Sequence, residues 1–176
     1  MNKGDIVDND TICRTFLCSP QGGMRRSLRT NSLVLISGTK RSVYVDRWDG
    51  DVFHYTGMGL HGDQSLYDGQ NWTLVSSPKN RVKVYLFAAL EKNRYRFEGR
   101  VELAADSYQE QQIDREGRSR LVWVFPLRQI SQLHGRQSQS LTLVDRLAWI
   151  LGSVSHATDP ACSQPSVRRK QTGPHA

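Results

Sequence analysis

Tyr95-Arg96-Phe97-Glu98-Gly99-Arg100-Val101-Glu102-Leu103 alternates apolar and polar residues over nine positions. A period of two is the mark of a β-strand with one face in a core and the other in water. The glycine inside it marks a bulge or a tight bend. Working outward, Val82-Lys83-Val84-Tyr85-Leu86-Phe87 alternates and then turns fully apolar. Leu33-Val34-Leu35-Ile36 is a compact apolar run ending at Ser37-Gly38, and Leu121-Val122-Trp123-Val124-Phe125 is another, closed by Pro126. Both read as buried strands. Turn chemistry at Gly22-Gly23, Asp49-Gly50, Lys92-Asn93 and Glu116-Gly117 separates the runs. From about residue 10 to 127 this predicts a mainly β protein with few helices, its short strands forming a curved sheet or barrel.

Two helices are expected. One spans Gly62 to Ser76, with Leu66, Asn71, Leu74 and Val75 on one side. The other is amphipathic, with Leu141, Val144, Leu147, Ile150, Leu151 and Val154 at helical steps. The chain thus divides into a recognition domain over residues 1–128, a polar linker with its amphipathic helix over 129–159, and a disordered basic tail over 160–176. That tail carries Arg168-Arg169-Lys170 among Pro, Ser and Gln.

The 176 residues carry a net charge of +7, and the positive charge is clustered. Between Met24 and Arg47 six basic residues face one acid, and between Lys79 and Arg100 seven face two. Such runs fit a polyanionic partner. No segment approaches the ~18 apolar residues of a membrane helix, so no membrane partner is expected. Met1-Asn2-Lys3-Gly4-Asp5 lacks a secretory apolar segment, which makes a cytoplasmic protein the expectation. Cys13, Cys18 and Cys162 read as reduced thiols. They are too sparse for a zinc site, and neither metal nor cofactor is expected.

Function is written most densely in Tyr55-Thr56-Gly57-Met58-Gly59-Leu60-His61-Gly62-Asp63-Gln64 and, upstream, in Tyr44-Val45-Asp46-Arg47-Trp48. Two aromatic faces, a carboxylate and a glycine-lined wall are what a pocket for an unstacked nucleobase requires. An aspartate can accept from cytosine N4 and has nothing to donate to thymine O4, so Asp46 would select cytosine. Alternatively Asp46 is a turn residue like Asp49 and Asp51. Arg25, Arg26, Arg29, Arg47, His61 and Lys83 are the candidates for the DNA backbone or groove. Asp63 reads as a cap for the helix that follows. Neither His54 nor His61 has a nucleophile or base partner at workable spacing, so catalysis is not expected.

The order Gly22-Gly23-Met24-Arg25-Arg26-Ser27, Asn31-Ser32-Leu33-Val34-Leu35-Ile36, Tyr55-Thr56-Gly57-Met58-Gly59 and Gly62-Asp63-Gln64-Ser65 resembles the SRA (SET- and RING-associated, or YDG) domains. The likeness extends to Asn71 with Leu74, to Tyr108-Gln109-Glu110-Gln111 and to Asp114-Arg115-Glu116-Gly117, covering roughly residues 5 to 128. It is nearest to the SRA-like modules of bacterial modification-dependent restriction endonucleases, in which an HNH nuclease follows. The resemblance implies a PUA-like β-barrel that flips 5-methylcytosine or 5-hydroxymethylcytosine out of duplex DNA. By it, Tyr44 and Tyr55 stack on the base, Asp46 accepts from N4 and Thr56 holds the O2/N3 edge. Because Tyr44 leads Val-Asp-Arg-Trp rather than consecutive acids, Trp48 is an alternative to Tyr44 as the second stacking face. A nuclease-like histidine cluster is missing beyond residue 128, so the expected role is a non-enzymatic reader of modified cytosine in a restriction or defence system. It would sit on the nucleoid when bound to DNA, alone, as a homodimer or beside a separate nuclease subunit. The rival reading is a PUA/ASCH-like RNA-binding module, which would show an open basic groove in place of an aromatic cage.

Overall fold

A computed structural model describes residues 1–38 and 44–130. The expected helix at 141–154, the tail and Cys162 lie outside these residues. One nine-stranded sheet is formed by β1 (Ile6–Val7), β2 (Met24–Ser27), β3 (Ser32–Ser37), β4 (Arg47–Asp49), β5 (Val52–Thr56), β6 (Lys83–Glu91), β7 (Arg94–Leu103), β8 (Tyr108–Ile113) and β9 (Ser119–Gln129). Its main path runs β2-β3-β6-β7-β9-β5-β4, with β1 on β7 and β8 on β9. Only the β3–β6 pair is parallel. Three short helices complete the described residues: α1 (Asn9–Phe16), α2 (Gly69–Val75) and α3 (Ser77–Asn80). The expected mainly β architecture is the one found.

β7 departs from the single buried face that its alternation predicts. Leu86 pairs with Gly99 but Phe87 pairs with Phe97, leaving Glu98 as the extra residue of a bulge. Gly99 has φ +112°, a backbone that L-residues avoid. One extra residue reverses the side of the sheet on which each later side chain stands. Tyr95 and Phe97 therefore pack with Ile12, Phe16, Val34 and Phe87, whereas Val101 and Leu103 join Leu33, Leu35, Phe53, Tyr55, Leu74 and Phe125 in the larger core.

The smaller core exists because α1 covers it, and α1 was not expected. Asp8 caps this helix by accepting from the Thr11 N–H at 2.8 Å. Only Ile12 and Phe16 are buried on it, one turn apart, too little periodicity to stand out in eight residues. Phe16 meets the rings of Tyr85 and Phe87 at 4.7 and 5.8 Å. With both faces covered, β3 can be apolar at every one of Leu33, Val34, Leu35 and Ile36.

Two further expectations change. The helix placed over Gly62 to Ser76 forms only from Gly69, because residues 62–68 are tied to β9 as a loop. Arg25 and Arg26, candidates for the DNA backbone or groove, lie within strand β2, paired to Val34 and Leu33. β9 continues through Pro126 instead of stopping there. β8 pairs with β9 up to Val124 and β7 from Leu127, so the missing N–H of Pro126 falls between the two partners. Its carbonyl still accepts from the Ala104 N–H at 2.9 Å.

Candidate functional site

β5 carries the centre of the site. Phe53 and Tyr55 point into the larger core, while His54 faces the other way, 2.9 Å from the Tyr108 hydroxyl. At the end of β5 the Thr56 N–H has no strand partner on the β4 side and donates instead to Asp46 Oδ1 at 2.8 Å. Ser37 and Gly38, where β3 ends, also donate to this carboxyl. Burial holds the Asp46 carboxyl above its ordinary value, against the pull of those hydrogen bonds. Asp46 is therefore no solvated turn residue. It is a desolvated acceptor at the junction of two strand ends.

Two tyrosines feel its charge. Tyr44 is half-buried, its hydroxyl donating to the Gly59 carbonyl at 3.3 Å. Tyr55 is only 3% exposed, and its hydroxyl donates to the Gly23 carbonyl at 3.0 Å. Burial, with Asp46 adding to it, raises both phenols, that of Tyr55 strongly and with Tyr44 adding as well. The open stacking platform expected at Tyr55 is thus corrected: its ring is part of the core. Trp48 is not brought to this centre. It packs on Phe53 at 4.9 Å and lines a separate hollow with Lys3, Glu98 and Arg128.

The glycine loop owes its shape to internal packing. The Gly57 N–H donates to the Trp123 carbonyl at 2.8 Å, and its carbonyl accepts from Gln64 Nε2 at 2.7 Å, so neither is free to read a base. A Cβ on Gly57 would stand 2.7 Å from Asn71 Oδ1. Buried Gln64 and Asn71 act as side-chain substitutes for a neighbouring strand. Gln64 Oε1 accepts from the Trp123 N–H at 2.9 Å, and Asn71 bonds both backbone groups of Met58. Asp63 accepts from the Leu121 N–H at 2.7 Å, anchoring the loop to β9 and not capping a helix.

Most of the expected phosphate ligands are committed or remote. Arg25 is 5% exposed and donates to the Gly22 carbonyl and Asn9 Oδ1, at 2.8 and 2.7 Å. Arg26 binds the Ser32 carbonyl and Asn31 Oδ1. Arg47 pairs with Glu110 at 2.9 Å, a partly buried partner, and His61 with Glu116 at 2.9 Å in an exposed pair. Arg29 and Lys83 are open to solvent. Lys83 pairs with Ser32, and Ser37 ends the same strand, so Lys83 lies about 17 Å from the Asp46 end at ~3.3 Å per residue.

Two side chains that the sequence reading passed over complete the surroundings. Gln112 Nε2 donates to Thr56 Oγ1 at 3.1 Å, and its Oε1 accepts from the Val45 N–H. Arg120, its partner across β8 and β9, donates Nη1 to the Gly59 carbonyl at 2.6 Å. A signal existed for Arg120: it shares the inward parity of Val122 and Val124. Among the described residues no group of three His, Cys, Asp or Glu could hold a metal, and no helix is long and apolar enough to cross a membrane.

Known proteins carry the same framework. The sulfur-binding and SRA domains of ScoMcrA, solved with phosphorothioated DNA, match at 20% identity and TM-score 0.59 over 74% of this chain and 40% of that one. The modification-dependent TagI restriction endonuclease matches at 20% identity and TM-score 0.57, over 74% of this chain and 50% of that one. At such identity the two share the fold, and this chain spans about half their length or less. The SUVH5 SRA domain in complex with methylated CHH DNA matches at 25% identity and TM-score 0.54, over 74% of this chain and 90% of that one. No curated protein matches the chain in sequence. The ScoMcrA-like SRA domain profile, however, matches residues 3–149, and with a matching fold beneath it the chain belongs to the SRA domain family.

Proposed function

We propose that this SRA domain binds duplex DNA and reads a modified cytosine flipped out of the helix, as the recognition part of a restriction or defence system. The observation that carries the reading is Asp46: a half-buried carboxyl at the junction of two strand ends, held by the Thr56 N–H, with Tyr44 and Tyr55 close enough to feel its charge. A carboxylate there accepts from the exocyclic amine of cytosine and finds no donor on thymine O4. Tyr44 supplies a stacking face, and Tyr55 closes the site as a rigid wall. A base–aromatic stack contributes roughly 1–3 kcal/mol, enough to offset much of the few kcal/mol that flipping costs. Relatives solved with methylated and with phosphorothioated DNA lend support for modified DNA as the ligand class. On this reading the chain is a reader and leaves DNA uncut in the presence of Mg²⁺, Mn²⁺ or Zn²⁺.

The test is competition binding with one duplex sequence in five forms: plain, 5-methylcytosine, 5-hydroxymethylcytosine, hemimethylated and phosphorothioate, across a salt series. A preference for a C5-modified form over the plain duplex at every salt concentration is expected. Equal affinity for all five sinks the proposal. A preference for the phosphorothioate alone moves recognition from the base to the backbone, and tighter binding of single-stranded RNA would point to an RNA-binding role.

A further inference from the structure

Arg120 is 2% exposed, yet its Nε and Nη2 have no hydrogen-bond partner among the described residues. Nη1 alone is used, on the Gly59 carbonyl. No carboxylate among the described residues forms an ion pair with it. The Tyr44 ring centroid is 5.9 Å from the guanidinium carbon, at the outer limit of cation–π attraction, so the ring does not satisfy the two idle N–H groups. A buried cation without a counter-charge costs several kcal/mol. Its neighbours are all satisfied: Gln112 by Thr56, and Thr56 by Asp46. An arginine that leaves two parallel donors unused inside such a network is poised for a ligand.

Nε–H and the adjacent Nη2–H form the side of the guanidinium that grips two neighbouring lone pairs at once. Tyr44 feels the charges of both Asp46 and Arg120, and Thr56 and Gln112 connect Asp46 to the strand pair that carries Arg120. The surroundings of Tyr44 thus hold both an acceptor and a pair of donors. Cytosine presents the complement along its Watson–Crick edge: the N4 amine as donor, then N3 and O2 as acceptors. Thymine presents acceptor, donor, acceptor and would set its N3–H against a guanidinium N–H. We infer that Arg120 is a specificity-determining residue of this pocket, donating Nε–H and Nη2–H to N3 and O2 of the flipped base while Asp46 takes its amine. The inference rests on the base-flipping reading above and extends it to an edge that Asp46 alone cannot read.

The experiment uses the full chain and its Arg120→Lys and Arg120→Met variants, with folding checked by circular dichroism and melting temperature. Each protein is titrated with duplexes carrying 5-methylcytosine, cytosine, thymine or 5-methyl-3-deazacytosine, every test base opposite an abasic site so that pairing strength does not enter. Lysine keeps a charge and one hydrogen bond to Gly59 but loses the fork. Both folded variants are expected to lose at least tenfold of the native ratio of 5-methylcytosine to thymine affinity. Removing N3 should weaken the native chain at least fivefold and leave Arg120→Met unaffected, a coupling that a merely structural arginine would not show. The inference is overturned if a folded variant keeps the native ratio. It is equally overturned if the native chain ignores the loss of N3, a result that needs no variant to fold. Absence of any preference for 5-methylcytosine in the native chain would be a failure of the base-flipping reading itself, visible before the variants are compared.

Discussion

At the scale of single residues, Tyr44 and Tyr55 look equivalent in the sequence and are not equivalent in the fold. Tyr44 is half-buried, its hydroxyl on the Gly59 carbonyl, whereas Tyr55 is embedded in the larger core. Tyr44→Ala should therefore cost roughly 1–3 kcal/mol of discrimination for modified cytosine with little change in melting temperature. Tyr55→Ala should cost about 3–5 kcal/mol of stability through the cavity it leaves, read by urea unfolding. Tyr55→Phe keeps the ring and loses only the bond to Gly23, about 1 kcal/mol. Asp46 allows a test by pH. Its carboxyl is raised in the fold, so folding favours its protonated form: that contribution is full below the ordinary value of 3.8 and fades as pH rises through the raised one. Asp46→Asn lacks the titration. Its stability relative to the native chain should rise as pH is taken upward through this window, followed by thermal melts at matched ionic strength. DNA recognition should move oppositely in the native chain, weakening as Asp46 gains its proton and loses an acceptor.

At the scale of elements, the loop after β5 shows how a segment without regular structure becomes rigid. Gln64 and Asn71 satisfy the backbone of Gly57 and Met58 and leave no room for a Cβ at Gly57. Gly57→Ala should destabilise by ~1–3 kcal/mol, as overpacking of a dense interior does. It should also shift the backbone at Gly59, whose carbonyl receives Tyr44 and Arg120. Hydrogen exchange at Met58 would report the first effect, and a drop in modified-base affinity beyond the stability loss would report the second. The bulge in β7 is the other element-scale device. Without it, one of the two cores would lose its share of that strand.

Across the whole molecule, the basic balance divides into structural and available charge. Arg25, Arg26 and Arg47 hold the fold or pair with Glu110, while Arg29 and Lys83 remain in solvent. A plot of log affinity against log salt should slope by about −0.9 for each phosphate neutralised. Arg29→Ala or Lys83→Ala should flatten that slope by about one if the DNA reaches the far end of β3. Arg25→Ala should instead lower the unfolding midpoint, since it strips partners from Asn9 and Gly22. An unchanged slope in both surface variants would confine the DNA to the Asp46 end of the sheet.

The sequence by itself determined the strand content, a bulge or bend at Gly99, the opposed faces of His54 and Tyr55, and the closeness of Tyr44, Asp46, Tyr55 and Thr56 along the chain. These are local matters: alternation, turn chemistry and proximity along the chain are legible because a strand's geometry repeats every two residues. Tertiary structure alone decided what each of those side chains is free to do. Whether Arg25 meets a phosphate or Asn9, whether Trp48 faces Asp46 or Phe53, and whether Tyr55 is a platform or a wall depend on partners brought in from distant positions. The same holds for Gln64, Asn71 and Arg120, whose polar groups acquire meaning only when burial removes water as their alternative partner.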